Sequence, residues 1–204
     1  MWILKPFVAA AAATAMIVAA ALAADETPGQ TELGPPVGAK IPVDLATVDS
    51  TGTAQDFDSL VGDNGMALFF MRSLDWCPYC RLQALEVAKR AGDFTARDLS
   101  VVFITYDSSD KLAKFDAKWE VAPTLLSDEG SKIIDAFGIR NEQHEPGSRA
   151  YGIPHPVVFI VTPDGTIRAK LYEDDFMTND TSYRKRPEVD AILEAVDGAI
   201  AVGG

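Results

Sequence analysis

Two largely apolar runs restrict the fold more than any other feature: "MALFFM" at 66–71 and "LSVVFITYD" at 99–107. Each run has the length of a strand and lacks alternation with polar residues, which indicates strands buried on both faces of a sheet. A helical pattern follows each run, over 80–91 and 109–120. Strands that alternate with helices predict an α/β fold, with helices covering both faces of the sheet.

The remaining patterns complete the order hairpin, β, α, β, α, β, α, hairpin and α. An alternating segment with a turn at 50–52 predicts an N-terminal β-hairpin. A second hairpin is predicted where Pro163-Asp164-Gly165 supplies the turn, and this antiparallel pair makes the sheet mixed. The two hairpins cover 43–57 and 156–173. The other predicted elements are a short strand at 123–128, a short helix at 130–139 and a closing helix at 186–200.

The beginning of the chain has the pattern of a targeting segment. Lys5 precedes an apolar run at 7–24, and small residues at 21–23 are typical of a secretory signal peptide cleaved after Ala23. An uncleaved membrane anchor at 1–23 is the alternative, and only then would the protein contact a membrane. Proline and glycine mark 24–42 as a linker before a domain at 43–202. We therefore expect an exported protein, periplasmic or otherwise extracytoplasmic, in a compartment where disulfides persist.

The charge balance excludes one class of partner. The chain has 30 acidic residues against 18 Lys and Arg, giving a formal net charge of −12 at pH 7. Nucleic acid and anionic membrane surfaces attract basic proteins, so neither is expected as a partner.

Both cysteines of the chain, Cys77 and Cys80, lie between the first buried strand and the helix after it. Backbone amides and the helix dipole favour a thiolate at a helix N-terminus, so we expect a lowered pKa for Cys77. Cys80, about one turn further on, could then resolve a mixed disulfide. A structural disulfide would close too short a loop to remove much chain entropy. A zinc site with His144 and His155 would lack the usual histidine spacing.

Three segments resemble the thioredoxin-like superfamily, in particular its redoxin and peroxiredoxin-like (AhpC/TSA-type) branch. They are "DWCPYC" at 75–80, "PTLLSDEGSKIIDAFGI" at 123–139 and "GIPHPVVFIVTPDGTIR" at 152–168. The resemblance implies a three-layer fold in which helices flank a central mixed sheet. It also implies a cis-proline beside the cysteines, at Pro156 or alternatively Pro154. In the family, the backbone beside that bond pairs with an extended substrate peptide.

The chain departs from the sequence motifs of the family that it resembles at several positions. Peroxiredoxins carry Pro-x-x-x-Thr-x-x-Cys, and counting back from Cys77 places Phe70 and Leu74 at the proline and threonine. The peroxiredoxin arginine falls at Pro156, and the buried acid of thioredoxin is replaced by Met71. The Pro-Tyr dipeptide between the cysteines is similar to that of glutaredoxins. These departures favour disulfide exchange over peroxide reduction.

Five further residues are candidates for binding substrate: Trp76, Pro78, Tyr79, His155 and Pro156. The position of His155 before the expected cis-proline would set its ring near Cys77, where a cation lowers a thiol pKa or moves a proton; a solvated loop histidine is the alternative. Trp76 lines a groove or packs in the core, and Tyr79 shields the thiols or faces solvent. Pro78 fits the first helical turn. The charged stretch 172–187 is predicted to be an exposed loop, with covering of the site or contact with a partner left open.

The sequence thus predicts an exported thiol–disulfide oxidoreductase without cofactor or metal. Cys77 attacks, Cys80 resolves, and the partners are protein disulfides or another thiol–disulfide oxidoreductase. One alternative is a peroxiredoxin-like thiol peroxidase, an antioxidant enzyme, that uses Cys77. Another is a copper(I) metallochaperone that binds the metal through Cys77, Cys80 and His155, because thiolates suit soft ions.

Overall fold

A computed structural model of the protein describes residues 32–203, with the side chains of 32–201. The predicted signal peptide or anchor at 1–23 and residues 24–31 of the predicted linker lie outside the described residues. Within the described part, no helix is long and apolar enough to cross a membrane.

Within residues 32–203, seven strands form one mixed sheet in the order β2-β1-β5-β4-β3-β6-β7. The two predicted buried strands, β3 and β4, are parallel neighbours at the centre, and β5 continues the parallel part. The two predicted hairpins add antiparallel strands at the two edges. The strands are β1 Thr47–Asp49, β2 Ala54–Gln55, β3 Met66–Phe70, β4 Ser100–Thr105, β5 Thr124–Ser127, β6 Val157–Val161 and β7 Ile167–Leu171.

Helices cover both faces of the sheet, which confirms the predicted thioredoxin-like α/β fold. They are α1 Phe57–Leu60, α2 Pro78–Lys89, α3 Ala91–Thr95, α4 Ser109–Trp119, α5 Lys132–Ala136 and α6 Val189–Gly203, with a 3-10 turn at Ser182–Arg184. The predicted first hairpin ends earlier than expected because Asp56 caps α1. Its carboxylate accepts from the Ser59 amide at 2.8 Å, and its own amide donates to the Ser59 hydroxyl at 2.9 Å.

Alternate residues of β3 supply two separate cores, one on each face. The Phe69 ring meets Phe103 edge-on, with centroids 5.1 Å apart, in the core that also contains both cysteines. The Phe70 ring packs with Phe137 and Phe159 on the opposite face, at 4.7 and 5.9 Å. Because strand side chains alternate between faces, a wholly apolar strand is the pattern that fills both cores.

The predicted cis-proline is wrong. No cis peptide bond occurs in residues 32–203, so neither Pro156 nor Pro154 has one. The chain reaches β6 in an extended form, paired with the segment after α5. The Asn141 amide donates to the Ile153 carbonyl and the His155 amide donates to the Ile139 carbonyl, each at 2.8 Å. This pairing carries the backbone past both prolines in an extended form.

Candidate active site

The two cysteines are in contact at the start of α2. Cys77 is the N-cap of the helix, and its Sγ lies 2.7 Å from Sγ of Cys80. The Cys80 amide donates to Sγ of Cys77 at 3.4 Å, and Pro78 occupies the first turn as predicted. Both thiols are free, and the residues are only 1% and 0% exposed. The structure therefore brings the predicted pair together but closes it off from solvent.

The negative charge of the pair falls on Cys80 and not on Cys77. Burial alone would raise the pKa of Cys80, but the hydrogen bond with Cys77, the charge of Arg186 and the Ser73 amide lower it to about 6. The hydrogen bond with Cys80, reinforced by burial, raises the pKa of Cys77. At neutral pH the two sulfurs thus share one proton, held by Cys77. The helix N-terminus alone predicts a thiolate at Cys77, and the groups that surround each sulfur reverse that prediction.

A buried carboxylate fixes the loop that precedes the cysteines. Asp107, at the end of β4, accepts hydrogen bonds from the Ser73 hydroxyl at 2.8 Å, the Leu74 amide at 2.7 Å and the Thr105 hydroxyl at 3.0 Å. Burial raises the pKa of Asp107 despite these donors. This network sets the backbone of Ser73, whose amide faces Cys80. Sequence reasoning missed Asp107, although an acid at the end of a strand parallel to β3 was an available signal.

Residues 172–187, which we call the C-terminal arm, cover the thiols. The Tyr183 ring packs edge-on against Tyr79, with centroids 5.9 Å apart. The Arg72 guanidinium lies 3.9 Å from the centroid of Tyr183 and 5.2 Å from that of Trp76. Nη2 of Arg186 lies 3.6 Å from Sγ of Cys80. The arm therefore covers the site while Asp174 and Arg184 stay exposed, and Arg186 is a site residue that the sequence pattern did not single out.

The remaining predicted site residues surround the pair in different ways. Tyr79 shields the thiols through its contact with the arm, and Trp76 donates through Nε1 to the Tyr106 hydroxyl at 2.9 Å. Pro156 lines a pocket beneath the arm together with Gln83 and Arg186. Neither Cys77 nor Cys80 is among the residues that line this pocket.

His155 is neither solvated nor a cation beside Cys77. Its ring is buried and meets Phe176 of the arm, with centroids 4.8 Å apart. Burial, followed by the charges of His144 and Arg72, lowers the pKa of His155 to about 4. The imidazole is therefore neutral at neutral pH, and it holds the arm in place instead of lowering a thiol pKa.

A metal centre is not assembled in the part of the chain that the structure describes. No group of three or more His, Cys, Asp or Glu side chains there could hold a metal ion. The third ligand that the copper hypothesis would take from His155 is thus not grouped with the two thiols.

Comparison with known proteins decides the family. The model of the AhpC/TSA family matches residues 37–170 of this chain. The chain belongs to the AhpC/TSA family. The resemblance inferred from the sequence is confirmed, and the protein is an oxidoreductase of this thioredoxin-like family.

Relatives and solved structures in this family carry peroxiredoxin names. Peroxiredoxin Bcp of Escherichia coli K12 is 28% identical over 131 residues, which cover 64% of this chain and 81% of that protein. A putative peroxiredoxin of Mycobacterium tuberculosis is 36% identical over 96 residues, 47% of this chain and 60% of that protein. The structure of peroxidoxin BcpB from M. tuberculosis aligns with a TM-score of 0.63 at 22% identity, covering 79% of this chain and 96% of the other. Peroxiredoxin Q of Xanthomonas campestris gives 0.62 at 22% identity, with 78% and 93% covered.

Proposed function

We propose that the protein is a thiol peroxidase that reduces hydrogen peroxide or a small organic hydroperoxide. The geometry that carries the proposal is a pair of buried sulfurs 2.7 Å apart, with Nη2 of Arg186 3.6 Å from Sγ of Cys80. Against the effect of burial, the hydrogen bond with Cys77 and the charge of Arg186 lower the pKa of Cys80. Membership of the AhpC/TSA family and the peroxiredoxin names of its relatives support this chemistry. Peroxide reduction, expected as the alternative with Cys77 as nucleophile, therefore replaces disulfide exchange as the main hypothesis.

The family motif fits better when it is counted from Cys80. In Pro-x-x-x-Thr-x-x-Cys, the threonine then falls on Cys77 and the proline on Ser73. Cys77 then lies against the sulfur that the motif makes reactive, with the two Sγ atoms 2.7 Å apart. Counting from Cys77 places the unrelated side chains of Phe70 and Leu74 at the two positions.

The proposed reaction uses both sulfurs in turn. The Cys80 thiolate attacks the terminal peroxide oxygen and the O–O bond breaks. The alkoxide that leaves, or hydroxide from hydrogen peroxide, takes a proton from solvent to become an alcohol or water. Cys80 is oxidised to a sulfenic acid. The Cys77 sulfur then attacks Cys80, a disulfide forms, and water leaves with the Cys77 proton. Two thiol groups of an external reductant restore the pair and become a disulfide themselves.

Access to the sulfurs favours a small oxidant. At 1% and 0% exposure, the cysteines are out of reach of a protein disulfide unless the C-terminal arm moves away. The edge on which an extended substrate peptide would pair also lacks the expected cis-proline geometry at Pro156. A peroxide needs a much smaller opening than a polypeptide.

Rapid mixing of reduced protein with hydrogen peroxide tests the proposal. We expect consumption far faster than by free cysteine, loss of the fast reaction in Cys80→Ser, and one turnover in Cys77→Ser that leaves a sulfenic acid on Cys80. Dimedone labelling followed by mass spectrometry locates that acid. Consumption at the rate of free cysteine, or dimedone on residue 77 in the Cys80→Ser variant instead, contradicts the proposal.

Thiol–disulfide exchange is the second candidate, because two sulfurs in contact at a helix N-terminus also suit that reaction. Its partners would be protein disulfides or another thiol–disulfide oxidoreductase, and export of the protein remains a prediction from residues 1–23. Mixed disulfides that accumulate on one single-cysteine variant, in a protein that consumes peroxide slowly, would favour this candidate over the peroxidase.

A further inference from the structure

The guanidinium of Arg186 is the charged group closest to the reactive sulfurs among the described contacts. Nη2 lies 3.6 Å from Sγ of Cys80, while Nη1 donates to the carbonyl oxygens of Tyr183 and, at 2.7 Å, Lys185. No carboxylate within residues 32–203 forms an ion pair with Arg186. No described carboxylate therefore neutralises its positive charge, which acts on the cysteine pair.

Several independent contacts hold the arm, and with it Arg186, in this place. Phe176 is buried against the rings of His155 and Tyr172. Nζ of Lys185 forms ion pairs with Glu173 at 3.3 Å and Asp175 at 3.5 Å, which tie the two ends of the arm together. A guanidinium held in advance stabilises a charge without paying for reorganisation when the charge forms.

The other end of the arm is fixed just as firmly beside the thiols. Tyr183 contacts Tyr79 and Arg72 only three positions before Arg186. The following residue, Pro187, restricts Arg186 to an extended backbone. The arginine is thus placed by its neighbours and not by its attraction to the sulfur alone.

Backbone amides alone do not decide which sulfur carries the charge, since each sulfur faces one. The Cys80 amide donates to Cys77, and the Ser73 amide faces Cys80. Pro156, which lines the same pocket as Arg186, offers no charge. The charge of Arg186 lowers the pKa of both sulfurs, but its guanidinium donates a hydrogen bond to Cys80, at 3.6 Å, which favours the charge on that side.

We propose that Arg186 is a catalytic residue of the thiol pair and that its guanidinium selects Cys80 as the attacking sulfur. For peroxide reduction this inference rests on the proposed function. For thiol reactivity in general it does not, because an alkylating agent meets the same choice between two sulfurs. The two claims can therefore fail separately.

Alkylation of reduced protein with iodoacetamide across a range of pH tests the inference. Mass spectrometry assigns the label to Cys77 or Cys80 by fragmentation at the intervening Pro78. In the wild type we expect Cys80 to react first, with a midpoint near pH 6. In Arg186→Gln, which keeps amide donors for the arm carbonyls but loses the charge, we expect a higher midpoint and roughly tenfold or greater loss of Cys80 alkylation at neutral pH.

Two further variants separate charge from structure. Arg186→Lys should recover part of the loss, because an ammonium restores the charge. Arg184→Gln removes the same charge from an exposed position of the arm that does not contact the sulfurs, and it should alkylate like the wild type. Arg186→Met replaces the glutamine variant if the latter melts at a lower temperature than the wild type.

The outcomes are distinct. A wild-type midpoint and an unchanged preference for Cys80 in an uncharged, folded Arg186 variant would overturn the inference. An equal effect of Arg184→Gln would also overturn it, since general charge would then be the cause. If the alkylation shifts as expected while the wild type consumes peroxide no faster than free cysteine, Arg186 keeps its role and the peroxidase proposal fails.

Discussion

Removal of the Asp107 carboxylate should loosen the loop that leads to the thiols. In Asp107→Ala, the amide of Leu74 loses its acceptor, and it is buried where water cannot replace that acceptor. The hydroxyls of Ser73 and Thr105 also lose their acceptor, but each still accepts from a backbone amide of the loop.

The magnitude follows from these bonds. An orphaned buried donor costs about 1–3 kcal/mol, and hydrogen bonds to a charged acceptor are individually stronger than neutral ones. Burial raises the pKa of Asp107, so the cost of ionising the buried carboxyl at neutral pH offsets part of the stabilisation from its hydrogen bonds. We expect Asp107→Ala to lower the free energy of unfolding by about 2–3 kcal/mol and the melting temperature by roughly 4–12 °C.

Urea unfolding of the reduced protein, followed by tryptophan fluorescence, measures this change. Asp107→Asn is the matched control. Its amide oxygen can accept from Leu74 and Thr105 while its amide nitrogen donates to Ser73, so the loss should stay below about 1 kcal/mol. The reasoning is refuted if the alanine variant lies within about 0.5 kcal/mol of the wild type, or if both variants lose the same stability.

Three further predictions concern stability. The folded state lowers the pKa of Cys80 to about 6, so the free energy of unfolding of the reduced wild type should rise relative to Cys80→Ser as pH increases from that value toward the unfolded pKa. The gain should reach up to about 3 kcal/mol and disappear on acidification, and urea titrations at several pH values measure it. Phe159→Ala removes a buried ring packed edge-on against Phe70 and should cost about 3–5 kcal/mol in the same assay; a loss below about 1 kcal/mol would contradict the packing. Gly65→Ala places a Cβ against the Val161 carbonyl at a positive φ of 111° and should lower the melting temperature markedly in calorimetry; an unchanged value would refute the clash.

The sequence predicted the central layers well because their signals are local. The uninterrupted apolar runs gave β3 and β4, and the helical spacing after Cys80 gave α2. The end of the predicted helix at 91 was missed because the chain turns at Arg90, and a short helix, α3, follows. Propensity alone does not distinguish that break from a continuous helix.

The site was predicted only in part, because its remaining groups come from distant parts of the chain. Residues 77 and 80 carry their own spacing signal, whereas Arg186 reaches Cys80 across 106 positions. Its segment is rich in charge, which by itself predicts a solvated loop, and only the buried Phe176 and Tyr183 contacts turn that loop into a cover. The ionisation of the pair depends on this cover and was therefore assigned to Cys77.

The central claim is that the reduced pair holds one negative charge and holds it on Cys80. Ultraviolet absorbance of the thiolate, titrated against pH in Cys77→Ser and Cys80→Ser, tests it most directly, because a serine hydroxyl can still donate to the sulfur that remains. The account predicts a thiolate with a midpoint well below that of free cysteine in Cys77→Ser and an ordinary or higher midpoint in Cys80→Ser. A low midpoint that survives in Cys80→Ser and disappears in Cys77→Ser would contradict it.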